Sequence, residues 1–134
     1  VDTGKVRYIY RPYVFSLDDI FQRTAAEALY CAGEQGKFWE MHDWEYENAS
    51  SWTGGTDLMD VLVRQAAPKL GLDGAALEAC LREGRYRTRL ETILNDALGR
   101  GIQGTPTFLI NGRSLEGAAP FETFRQIIEE ELAK

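Results

Sequence analysis

Only two cysteines, Cys31 and Cys80, occur in the 134 residues, and they stand far apart in the chain. The sequence therefore contains no Cys-x-x-Cys, the spacing that sets a low-pKa thiolate beside its resolving partner. Histidine is scarcer still. His42 is alone, no nucleophile-elbow motif surrounds a serine, and no Ser-His-acid triad can be argued. A zinc site built from Cys31, Cys80 and His42 lacks the close ligand spacing such sites use, so no metal is expected. No glycine-rich phosphate loop is present, because Gly54-Gly55 is not followed by the required pattern, and no cofactor is expected. Lys and Arg number 15 against 21 acids, a net charge of −6. That balance excludes the basic footprint that nucleic acid or an anionic membrane surface demands. No apolar run approaches the ~20 residues of a membrane span, and no signal peptide opens the chain. The first residue is Val1 rather than Met, so the chain reads as a mature form or a fragment, and its compartment is not legible from a missing leader.

The length suffices for one domain with a real core, burying roughly two-thirds of the unfolded surface. The most informative stretch is Gly104-Thr105-Pro106-Thr107-Phe108-Leu109-Ile110-Asn111-Gly112. Proline lacks the N–H that a ladder needs, so it belongs at the first residue of a strand or on an edge. Asn-Gly between Thr107–Ile110 and 113–115 is the strongest short-range hairpin signal, since both residues tolerate positive φ.

Upstream, Lys5–Tyr10 alternates and is rich in β-formers, which predicts a strand. Ser16 is predicted to start a helix running to about Ala32, stopped by Gly33. Further helices are predicted from Gly36 to about Asn48, from Thr56 to about Leu70 with Pro68 limiting it, from an Asp73 N-cap, and from Arg85 to about Gly99. Leu72 and Leu77 flank Asp73 at the spacing of a hydrophobic staple. Pro120 opens a last helix. In it Phe121, Phe124, Ile127, Ile128 and Leu132 form one apolar stripe, with Glu129–Glu131 mostly outward. The predicted order is one strand, five helices, two strands and a helix. Phe38, Trp39, Trp44 and Trp52 form a dense aromatic group, read as core and inter-helix packing, with a peptide-binding rim as the other reading. His42 is read as a helix-surface or capping residue.

Three further segments join the hairpin. They are Thr3-Gly4-Lys5-Val6-Arg7-Tyr8, then Cys31-Ala32-Gly33-Glu34-Gln35-Gly36-Lys37-Phe38-Trp39-Glu40-Met41-His42-Asp43, and Gly101-Ile102-Gln103-Gly104-Thr105-Pro106-Thr107-Phe108. Together they resemble the DsbA-like thiol–disulfide oxidoreductases of bacteria over nearly the whole chain. The resemblance implies an α/β fold, a thioredoxin-like sheet with an all-helical insertion. It implies a single domain over 1–134, with the insertion at about 16–100 and the thioredoxin-fold parts at about 5–10 and 101–134. Family members begin with a strand and a helix whose N-terminus carries the reactive Cys-x-x-Cys. Both are absent here, so no catalytic residue lies in the chain and dithiol activity is not expected of it. The absent strand is central in that topology. Its slot would be filled by an N-terminal fragment or by a strand from another copy, because unpaired buried backbone groups cost about 1–3 kcal/mol each.

By the same resemblance Pro106 is cis, and Thr105 and Pro106 form the substrate-side half of the active site, offering backbone hydrogen bonds to extended, thiol-containing protein substrates. From the residues alone Pro106 is a strand-initiating proline with a trans bond. Cys31 and Cys80 match a second, structural disulfide carried in the family's helical insertion, which an exported protein permits. Two buried free thiols or a catalytic pair are the other readings. The family resides in the bacterial cell envelope, outside the cytoplasm. Kappa-type glutathione transferases and related isomerases share this layout and form one alternative. A non-catalytic thioredoxin-fold module that binds peptides or dimerises is another.

Overall fold

A computed structural model describes residues 1–51 and 57–134. Trp52, the Gly54-Gly55 loop and the predicted helix start at Thr56 lie outside the described residues. The chain divides into two compact units, Pro12–Leu94 and Val1–Arg11 with Asn95–Lys134.

The unit Pro12–Leu94 is helical. Helix α1 (Ile20–Glu34) starts four residues after Ser16. Asp19 wins the cap: its carboxylate accepts from the Gln22 N–H at 3.1 Å while the Gln22 amide donates back at 2.8 Å. Ser16 instead closes a local turn by accepting from the Asp18 N–H. Ser and Asp compete for this role, and Asp19 prevails because its carboxylate accepts from both the backbone N–H and the side-chain amide of Gln22. Gly36, with φ +72°, turns the chain into α2 (Phe38–Asn48), which ends in a 3₁₀ turn (Ala49–Ser51).

The third predicted helix is continuous but irregular. Leu58–Val61 (α3) passes through a π-turn (Leu62–Ala66) into Ala67–Leu70 (α4). Pro68 has no N–H and its ring collides with the preceding turn, so a regular helix cannot run through it. A wider turn ahead of the proline accommodates both demands. Gly71, at φ +69°, ends the segment. Asp73 caps α5 (Gly74–Glu83), accepting from the Ala76 N–H at 3.0 Å. Leu72 and Leu77 on either side of that cap are both buried, as a staple requires. Replacing Asp73 with alanine is expected to cost about 1 kcal/mol, read as a lower urea midpoint with an unchanged slope. Helix α6 (Arg87–Gly99) follows.

The core sits in this unit. Leu29, Met41, Leu62, Leu77, Leu90, Val14, Cys31 and Cys80 are its largest fully buried side chains. One cluster joins Val14, Ala26 and Leu90, with Leu17 and Tyr30 packed against it.

The unit Val1–Arg11 with Asn95–Lys134 is built differently. Strands β1 (Thr107–Ile110) and β2 (Arg113–Glu116) pair antiparallel in the register Thr107↔Glu116 to Ile110↔Arg113. Asn111 (φ +48°) and Gly112 (φ +90°) form the two-residue turn, both in the left-handed region that a hairpin of this length requires. Helix α7 (Phe121–Leu132) follows Pro120. Phe108 of β1 meets Phe124 of α7 edge-on at 4.7 Å, and Arg113 of β2 donates to Glu130 at 2.6 Å.

Three expectations are corrected here. Lys5–Tyr10 forms no strand, because a strand exists only with a ladder partner and the segment pairs with none among the described residues. The apolar stripe of α7 is only partly covered: Phe124, Ile127 and Ile128 are half-buried, whereas Phe121 is 76% and Leu132 52% exposed. Glu131 is not outward, since its side chain folds in between Lys134 and Arg113. Among the described residues, Ala97 is the single buried apolar side chain of this unit.

Candidate functional site

The loop into β1 is built from local rules. Gly101, at φ +75°, ends α6, with the Ile102 N–H reaching back to the Ala97 carbonyl at 2.9 Å. Thr107 Oγ1 then donates to the Gly104 carbonyl at 2.8 Å and pins the turn at the mouth of the strand. The Thr105-Pro106 bond is cis. The Pro106 carbonyl accepts from the Gly117 N–H at 2.8 Å, which prolongs the hairpin by one rung. Thr105 and Pro106 are both exposed. Neither the N–H nor the C=O of Thr105 takes part in a backbone hydrogen bond among the described residues. Among the described residues the sheet has two strands, so no strand pairs with the outer edge of β1. That edge reads Thr-Phe-Leu-Ile, whereas β2 carries Arg113 and Glu116. Charged residues blunt an edge and apolar ones invite another strand.

The second feature belongs to the helical unit. Cys31 of α1 and Cys80 of α5 form a disulfide, with Cα atoms 5.9 Å apart. Both residues are 1% exposed, so solvent thiols do not reach the bond in the folded state. The residues after Cys31 surround it. Glu34 Oε1 lies 3.8 Å from Cys80 Sγ and accepts from the Tyr86 hydroxyl at 3.0 Å. Its other oxygen accepts from Arg85 at 2.9 Å. Burial and the bond to Glu34 push the Tyr86 phenol above its ordinary value. The Gln35 amide exchanges two hydrogen bonds with the backbone of Asp73, at 2.8 and 3.2 Å. The run Cys31–Gln35 thus ties the end of α1 to the start of α5 and to the residues leading into α6. Sequence reading missed Arg85 and Tyr86, because partners some fifty positions apart leave no local signal.

His42 pairs with Asp43 through Nδ1 at 2.9 Å and lies between the rings of Trp39 and Tyr46. Of the aromatic group, Trp44 is buried as core, while Trp39 is 44% exposed, which corrects its reading as core. No cluster of three or more metal-capable side chains occurs among the described residues. No helix among them is long and apolar enough to cross a membrane.

The sequence profile of the Thioredoxin family matches residues 1–130. Among curated proteins, the chain is 31% identical over 121 residues to Na(+)/H(+) antiporter NhaA 1 of Salinispora arenicola, covering 90% of this chain and 18% of that protein. It is 32% identical over 117 residues to Na(+)/H(+) antiporter NhaA 3 of Salinispora tropica, covering 87% and 17%. A Na(+)/H(+) antiporter NhaA of Herminiimonas arsenicoxydans is 31% identical over 105 residues, covering 78% and 16%. The chain spans less than a fifth of the length of these relatives. No solved structure matches it significantly. The hairpin, the helical insertion and the profile match over nearly the full length give an α/β, thioredoxin-like fold, and the chain belongs to the thioredoxin family.

Proposed function

We propose that this chain is the substrate-binding part of a DsbA-type protein thiol–disulfide exchange domain, with Thr105 and Pro106 presenting backbone to an extended polypeptide. The observation that carries the reading is the exposed Thr105, whose N–H and C=O make no backbone hydrogen bond among the described residues, at the head of an apolar strand whose outer edge pairs with none of them. Added strands bind by main-chain hydrogen bonds, which suits substrates of many sequences. The chain's two cysteines are tied in a buried bridge. The exchanging dithiol must therefore come from elsewhere, and a further strand on the β1 edge is the place for it to dock. A two-stranded hairpin is marginal on its own, which supports the need for such a strand.

The test is NMR titration with a reduced, alkylated, unfolded polypeptide. Shifts are expected at Gly104–Thr107, and Thr105→Pro, which deletes the N–H, is expected to abolish them while the hairpin signals persist. Shifts confined to other residues would exclude the loop as the site. In an insulin-reduction assay the chain alone is expected to show background turnover. Clear turnover would show that Cys31 or Cys80 exchanges thiols.

The names of the relatives favour a second, compatible reading, in which the domain serves as one part of a longer antiporter polypeptide. The buried disulfide supports placing it outside the cytoplasm, where such bonds persist. Antibody against the domain is expected to detect a polypeptide several times its size, with Cys31 and Cys80 resistant to alkylation until reduced. A small band, or free thiols in freshly lysed cells, would count against this placement.

A further inference from the structure

The Cys31–Cys80 bridge is covered by a charge. Cys80 lies in the second half of α5, and Glu34 is the last residue of α1. Cys80 is buried, and Glu34 Oε1 lies 3.8 Å from its sulfur. The Glu34 side chain is itself 35% exposed. The carboxylate thus forms part of the layer between the sulfur and water. Its two oxygens are held in place, one by the Tyr86 hydroxyl at 3.0 Å and the other by Arg85 at 2.9 Å. Arg85 is shared, because its Nε also donates to Glu83 at 2.6 Å. Arg89 is engaged over the Tyr30 ring at 4.5 Å instead. One guanidinium answering two carboxylates leaves the charge beside Cys80 incompletely neutralised.

This placement bears on exchange at the bridge. A thiolate attacks one sulfur of a disulfide and the other sulfur leaves as a thiolate. Negative charge therefore sits on the attacking and leaving sulfurs, and less on the sulfur between them. A carboxylate beside Cys80 opposes the departure of Cys80 as an anion, so Cys31 is the better leaving group and Cys80 the sulfur attacked. The same carboxylate repels an incoming anion and attracts an incoming cation. Closed, the structure denies a thiol access to the bond. Both sides of the cover belong to helix ends, where local opening costs least.

We propose that Cys80 is the reactive sulfur of the bridge and that it takes up small cationic thiols as a mixed disulfide, with Glu34 setting the preference for that charge. In this step the sulfur of the incoming thiolate bonds to Cys80 Sγ, the Cys31–Cys80 bond breaks, and its electron pair leaves with Cys31, which then takes a proton from water. A second thiol attacks the mixed disulfide at the small-molecule sulfur and releases Cys80 as a thiol. Two thiols are oxidised to one disulfide and the bridge is reduced.

The experiment treats the intact, oxidised chain in native buffer with cysteamine, a cation, and separately with thioglycolate, an anion. Samples are trapped with N-ethylmaleimide and followed by peptide mass. The cysteamine-to-thioglycolate rate ratio is compared between the unaltered chain and each variant, so that a change in opening common to both reagents cancels. Glu34→Gln keeps the shape of the side chain and is expected to lower the ratio roughly fivefold. Arg85→Gln, at a partly exposed position, is expected to raise it, because Glu34 loses its counter-charge while Tyr86 still holds it. Salt is expected to shrink the ratio of the unaltered chain. The trapped intermediate is expected to carry cysteamine on Cys80 and maleimide on Cys31. Equal acceleration of both reagents by Glu34→Gln would mean lost packing alone and overturns the proposal. Cysteamine found on Cys31 overturns it, as does an effect of Glu34→Gln on the ratio that persists in urea. A bridge that neither thiol reduces until the protein unfolds overturns it outright.

Discussion

Replacing both Cys31 and Cys80 with alanine, or reducing their bridge, is expected to lower stability by about 4 kcal/mol. The bond closes a loop of 49 residues, and the chain-entropy relation gives that value for a loop of this length. The enclosed segment holds α2, α3, α4 and most of α5, including core residues Met41, Leu62 and Leu77. Its ends are thus fixed relative to one another before any of that core assembles. In a thermal scan the loss corresponds to a fall on the order of 10 °C. Because both residues are 1% exposed, reduction should be slow in native buffer and accelerate with denaturant, as the bond becomes accessible on opening. An unchanged urea midpoint after full reduction would show that the helical unit is held by packing alone.

Glu45→Gln is expected to stabilise the protein at neutral pH, against the usual effect of a substitution in a partly buried site. Burial pushes the Glu45 carboxyl well above the usual carboxylate range. One of its oxygens is buried without a hydrogen-bond partner among the described residues. A raised folded pKa means that the group's contribution is fully present below the unfolded carboxylate value and is lost as pH rises through the folded one. As pH rises above the unfolded carboxylate value that contribution is progressively lost, and a neutral amide of the same shape does not carry this pH-dependent cost. The stability gain of Glu45→Gln is expected to grow as pH rises from acid to neutral and to shrink toward zero in acid. Melting temperatures of both proteins across that range decide it, and parallel curves at every pH would refute the assignment.

Glu27 differs instructively. Burial raises its pKa too, but Arg23 and Arg87 pull the other way. Neutralising it would leave two guanidinium groups without their counter-charge, so Glu27→Gln is expected to gain less than Glu45→Gln, or to lose.

Much of the local structure was legible from residue order. Asn111-Gly112 dictates a tight hairpin because few residues tolerate two successive positive φ angles. Asp73 caps α5 because its side chain satisfies an orphan N–H within three residues. The family was legible because its signature runs are themselves local. Pro68 was read correctly as an obstacle. Whether the helix would stop there or absorb the proline in a π-turn depended on the burial of Leu58, Val61, Leu62 and Ala66 around it.

What residue order could not decide was every question about a partner distant in sequence. Lys5–Tyr10 has the alternation of a strand, yet strandedness is a property of a pair, and the segment has no mate among the described residues. The stripe on α7 is amphipathic, but periodicity says only that a face should be covered, not that something covers it. The same holds for Trp39, indistinguishable by composition from the buried Trp44 five residues on. The Cys31–Cys80 bridge was expected only through the family resemblance and is present, whereas the grip of Glu34 on Arg85 and Tyr86 arises only when the end of α1 meets the residues between α5 and α6. Turns, caps and the family signature were thus determined by the sequence itself, because their physics acts within a few residues. The grip of Glu34, the β1 edge left unpaired among the described residues and the exposure of Trp39 were decided by tertiary structure, because burial and pairing are set by which distant surfaces meet.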